Sequence, residues 1–167
     1  PKRDATLPPL MLVSRSFDVT VNPVNHTPTL NALADLTINE NAGYQTVNLA
    51  DIGSGAPNEP DTLVVTASSS NPGLIPAPTV NYTSPNNTGS LSFIPLVFVH
   101  GSAVITVTVN DGGASNNIVS RTFTVTVNSV NQPPTLDALA DRTINENSGL
   151  QTVSLSGIGS GAASETD

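Results

Sequence analysis

Cysteine is absent from these 167 residues, which excludes disulfides, Cys-based zinc sites and thiol chemistry together. Tryptophan is also absent, and only two Tyr and four Phe are present, so few aromatic platforms exist for stacking a ligand. Positive charge is scarce: Lys and Arg total 5 against 13 Asp and Glu, for a formal net charge of -8. That balance argues against a nucleic-acid binder, which needs a basic face to neutralise phosphates. It equally disfavours docking on anionic lipid. No apolar run approaches the ~20 residues that cross a bilayer. The N-terminus carries no initiator Met and no signal-like apolar segment, because Pro8 and Pro9 interrupt the stretch Leu7 to Val13. A mature product or a piece of something longer is the expectation. What is plentiful is Thr (20), Asn (18), Ser (18) and Val (18). Thr and Val suit pleated surfaces while Asn and Ser suit turns, and long helices are not expected.

An internal repeat fixes the organisation. Residues 25–61 (NHTPTLNALADLTINENAGYQTVNLADIGSGAPNEPD) recur at 131–167 (NQPPTLDALADRTINENSGLQTVSLSGIGSGAASETD), 106 positions later, identical at 25 of 37 places. The same offset carries LVSRSFDVTVNPV (12–24) onto IVSRTFTVTVNSV (118–130), identical at 9 of 13. Three segments follow. Residues 1–24 are the C-terminal strand of a preceding repeat or a donor-strand arm. Residues 25–130 are one complete repeat, and residues 131–167 are the N-terminal part of a following one. A period of 106 matches one β-sandwich of ~100 residues and seven short strands, where a solenoid or propeller would repeat every ~20–50.

Seven strands are predicted in the complete unit: 36–39, 44–49, 63–68, 79–83, 89–94, 103–110 and 118–127. Turn-rich GSGAPNEPD (53–61), SNPGLIPAP (70–78), TSPNNTG (83–89) and NDGGASNN (110–117) separate them. Alternation places Ile105, Val107 and Val109 on one face and Thr106 and Thr108 on the other. Phe123, Val125 and Val127 repeat this against Thr122, Thr124 and Thr126. Leu63, Val65, Ala67, Leu91 and Phe93 extend the inward set, and Phe17, the counterpart of Phe123, is assigned to a core as well.

The runs TINENAGYQTVNL (37–49), TASSSNPGLIPAPTV (66–80), GSAVITVTVNDGG (101–113) and SRTFTVTVN (120–128) resemble the Ig-like, cadherin-like repeats of very large bacterial surface and secreted proteins. The resemblance covers the whole chain. It implies an all-β fold of Ig-like/cadherin-like Greek-key β-sandwich repeats in tandem, an extracellular or cell-surface location, and an architectural role. It also implies calcium between neighbouring units, held by a Glu near the first strand and by Asp or Asn of linker and loops. Glu40 and Glu146 stand at the first position and Asp111 in the DGG turn. Glu59 and Asp61, matched by Glu165 and Asp167, are the loop candidates, whereas Asp51 is matched by Gly157. The linkers read VNHTP (24–28) and VNQPP (130–134), with His26 and Gln132 where the related pattern has a carboxylate. The competing reading of the acids is a set of separate surface carboxylates that keep the protein soluble.

Arg15 and Arg121 occupy equivalent places and are read as structural. His26 and His100 have no neighbours that would make a triad or a metal trio and are read as solvent-facing. The GSG of residues 53–55 is not a nucleophile elbow, and no catalytic residue is nominated. Three N-x-[ST] triplets, at Asn25, Asn81 and Asn86, are candidate glycosylation sites. Tyr44, Tyr82 and Phe98 are the aromatics left for a surface-glycan site. The expected function is structural: a unit of an extracellular bacterial fibre or large surface protein that assembles with other copies of itself by strand pairing and stacking. The alternative is an adhesin-type module recognising carbohydrate or a partner protein.

Overall fold

The computed structural model describes residues 12–22 and 24–162 of the chain. Seven strands form where alternation places them: β1 (Leu36–Asn39), β2 (Gln45–Ala50), β3 (Val64–Ser69), β4 (Thr79–Asn81), β5 (Thr88–Phe93), β6 (Gly101–Asn110) and β7 (Ile118–Asn128). No helix occurs among the described residues. One sheet has the order β1-β7-β6-β3 and the other β2-β5-β4. β2, β5 and β4 thus face β3, β6 and β7 as in an Ig-like sandwich, with the first strand moved onto the β7 edge. That displaced strand makes the only parallel pair among the described strands, Leu36 opposite Val125 through Asn39 opposite Asn128. The remaining pairs are antiparallel.

The core lies between the sheets. Ala103, Ile105, Val107 and Val109 of β6 and Phe123, Val125 and Val127 of β7 are buried, which is the period-2 row expected of a half-buried strand. Leu49, Leu91 and Phe93 face them from the other sheet. Of the predicted β3 row, Leu63 is buried while Val65 and Ala67 are only half-buried. Leu74 and Ile75, in a segment read as connector, are fully enclosed. Both of their backbone N–H groups donate to the Asn71 carbonyl, at 3.1 and 2.9 Å. The resulting turn drives two large side chains inward between flanking prolines.

Phe17 is 85% exposed in this chain, whereas its counterpart Phe123 is 2% exposed. Residues 12–22 form no strand, so the alternating row Phe17, Val19, Val21 has nothing to pack on. Leu7 and Leu10 lie outside the described residues. Residues 131–162 likewise form no strand, and Leu136, Ile144, Val153 and Leu155 are exposed.

Local geometry nevertheless repeats at the offset of 106. The Thr29–Gly53 bridge recurs as Thr135–Gly159. Thr29 Oγ1 donates to the Asp51 carbonyl at 2.7 Å, and Thr135 Oγ1 to that of Gly157 at 2.8 Å. Asn41 and Asn147 both adopt positive φ, 62° and 58°. Gly55 and Gly161 sit at φ 99° and 97°, and a Cβ on either would strike the carbonyl of Thr27 or Pro133. Only glycine serves there.

Leu49 is 1% exposed and its counterpart Leu155 55%. Leu49→Ala is expected to cost about 2–5 kcal/mol of unfolding free energy, and Leu155→Ala no more than about 0.5 kcal/mol. Denaturant melts of the two variants against the native chain check the difference.

Candidate functional site

The polar residues of interest gather at the two ends of β7. Asp111 follows β6 and its backbone N–H donates to the Asn117 carbonyl beside the start of β7. Glu40 follows β1 and its N–H donates to the Asn128 carbonyl at the end of β7. The strand between them spans roughly 33 Å at ~3.3 Å per residue.

At the first pole the linker docks on the loops. Asn25 Nδ2 donates to the Ser115 carbonyl at 2.9 Å and faces both carboxylate oxygens of Asp111, at 3.2 and 3.4 Å. The Gly113 N–H donates to Asp111 Oδ1 at 2.8 Å. Beside it, Glu59 Oε1 accepts from the His26 backbone N–H at 3.0 Å and meets His26 Nδ1 at 2.7 Å. The hydrogen bond to Glu59, and then its negative charge, raise the His26 pKa above its ordinary 6.5. Asp61 lines a hollow of about 430 Å³ together with Ser54, Glu59, Leu63 and Ser84.

At the second pole Glu40 is 4% exposed. Its Oε1 accepts the Val130 N–H at 2.9 Å, and Oε2 lies 3.9 Å from His100 Nδ1. Asn41 Oδ1 accepts the Phe98 N–H at 3.0 Å, and Phe98 adopts φ 57°, an unusual conformation for a bulky side chain. Both histidines are solvent-facing, as read from sequence, with side chains 55% and 43% exposed, and each also meets a buried carboxylate where the chain joins or leaves the sandwich. Arg121 plays the structural part expected of it, donating from Nε to the Leu30 carbonyl at 3.0 Å.

The five residues nominated for calcium divide accordingly. Asp111, Glu59 and Asp61 belong to the first pole, Glu40 to the second, and Glu146 is exposed in 131–162. Among the described residues no group of three or more His, Asp or Glu side chains is placed to hold a metal ion. Glu165 and Asp167 lie outside the described residues. Of the glycosylation candidates, Asn86 is exposed on the turn after β4, Asn81 is the exposed last residue of β4, and the Asn25 amide is engaged at the first pole. Of the aromatics left for a glycan, Tyr82 packs against the core, burial pushing its phenol pKa up. Tyr44 and Phe98 are exposed.

No protein-family model matches the chain, and no curated protein matches it. Solved structures do. The titin M3 domain is 12% identical over 60% of this chain and 96% of its own, with a TM-score of 0.40. Domains 4 and 5 of the S-layer protein SbsC are 18% identical over 66% of this chain and 48% of theirs, at 0.38. A PKD domain of human KIAA0319 is 17% identical over 72% and 98%, also at 0.38.

Because the folded His26 pKa is raised, the stability its pairing adds is fully present below pH ~6.5 and is lost as pH rises through the folded value. NMR titration should therefore place the His26 midpoint above 6.5. Glu59→Gln should move that midpoint down toward 6.5 and flatten the loss of stability on the alkaline side.

Proposed function

We propose that this chain is a structural unit of an extracellular bacterial fibre or large surface protein, giving length and spacing by tandem stacking of sandwiches. The observation that carries the reading is the 106-residue repeat, whose copies agree in sequence and also in bridge, turn and glycine geometry. In this reading residues 25–130 are one complete sandwich, 1–24 supply a β7-type strand, and 131–167 begin the next unit. The exposed rows Phe17, Val19, Val21 and Ile144, Val153, Leu155 support assembly, since an alternating apolar face is stable only when another layer covers it. The partner is then another copy of the same unit. No catalytic role is assigned. Among the described residues no helix is long and apolar enough to cross a membrane.

A second reading, an adhesin-type module, draws on Tyr44 and Phe98, which stand exposed where β2 begins and before β6. Such aromatics suit a sugar face or an apolar partner.

Electron microscopy of the native material is expected to show regular filaments or strings of beads. Removing residues 1–24 is expected to abolish filaments; filaments of normal length after the deletion would reject the strand-docking role. Specific glycan-array binding lost on Tyr44→Ala would favour the adhesin reading.

A further inference from the structure

Calcium where a linker meets a sandwich is what the cadherin-like resemblance implies, and it requires six to eight oxygens converging on one point. The donor set at the first pole does not fit that requirement. Asn25 presents nitrogen to the loop: Nδ2 lies 2.9 Å from the Ser115 carbonyl oxygen, a group that only accepts, so the amide orientation is fixed. The same nitrogen faces Asp111 at 3.2 and 3.4 Å. The Gly113 N–H takes Asp111 Oδ1 as well. Glu59 Oε1 is held twice by His26, through backbone and ring.

The loop also closes tightly on the amide. A Cβ at Gly113 would lie 2.5 Å from Asn25 Cγ and Nδ2, inside van der Waals contact, so the approach depends on glycine. Glu59 Oε2 and Asp61 Oδ2 are the buried carboxylate oxygens without a hydrogen-bond partner at this pole. They come from one loop and number far fewer than calcium takes. They border a hollow of about 350 Å³ that Val24, Asn25 and Asn58 also line, with room for water.

We infer that the linker is fastened to this sandwich by its own N–H groups, Asn25 on Asp111 and His26 on Glu59, where a divalent cation would otherwise stand, so the junction is metal-independent. Charge-assisted hydrogen bonds do the work of the ion on two of the carboxylates: Asn25 donates to Asp111, and His26 holds Glu59 through Oε1. All four residues lie within one unit, so the inference does not rest on the tandem-array reading. Micrographs that reject the array leave it standing, and calorimetry that rejects it leaves the array standing.

Isothermal titration of the chelator-treated full chain with calcium chloride is expected to give no saturable heat. Thermal melts in calcium and in chelator are expected to coincide. Asn25→Ala is expected to lower Tm equally in both, by roughly 4–8 °C or more for a lost hydrogen bond to a charged partner. Asn25→Asp should lower it further in chelator, because a carboxylate would then face Asp111. Saturable calcium binding by the native chain, a calcium-dependent rise in Tm that Asp111→Asn removes, or an Asn25→Ala melt identical to the native one would overturn the inference. Should Asn25→Ala fail to fold, the titration of the native chain decides alone.

Discussion

Everything in the sandwich hangs on β7. It pairs in parallel with β1 on one side and antiparallel with β6 along ten residue pairs on the other. Its inward row, Phe123, Val125 and Val127, is nearly inaccessible to water, and each such side chain contributes about 1.5–3 kcal/mol of transfer free energy on burial. Its outward row is Thr, which fits a pleated surface without offering an apolar edge. Near its beginning Arg121 reaches back to the Leu30 carbonyl, and at its end the Asn128 carbonyl receives the Glu40 N–H. One strand thus sets the sheet order, one row of the core and the separation of the two poles.

The sandwich was legible because its strands obey the simplest rule available. The alternation in ITVTVN (105–110) and TFTVTVN (122–128) specifies strand, face and approximate ends. Loop residues that enter the core were not legible. Leu74 and Ile75 read as an apolar pair stranded between prolines, and their burial depends on a turn built on the Asn71 carbonyl. Phe17 shows the converse: its surroundings match those of Phe123, yet burial is a property of the partner layer and not of the pattern. Tyr82 is half-buried against the core together with Val80, and the alternation in TVNYT (79–83), which sets the two on one face, is the signal for it.

At the poles the residue types were legible and the pairings were not. Asp111, Glu59 and Glu40 were picked out as carboxylates with a purpose, but what each one meets is fixed across long separations. Asn25 and Asp111 are 86 residues apart, as Glu40 and Val130 are 90 apart. Asn25 reads as a glycosylation triplet, and His26 as a departure from an acidic linker. The GG after Asp111 was the available signal, because two side-chain-free positions beside a carboxylate permit another chain segment to come close.

The contrast between 25–61 and 131–162 separates local from non-local causes within one molecule. Nearly the same sequence keeps its bridges, its positive-φ asparagine and its tight glycine in both places. Thr side chains, Asx chemistry and glycine act over a few residues, so these features travel with the sequence. Strands do not travel. β1 exists because β7 lies beside it, and β2 because β5 does; the counterpart segment pairs with no such strand among the described residues and forms none there. Asn131 Nδ2 lies 3.5 Å from the Gln132 carbonyl, as Asn25 Nδ2 does from that of His26, so the linker amide keeps the same local contact in both copies. Fastening it then requires only a loop that offers a carboxylate and a carbonyl in the place of Asp111 and Ser115.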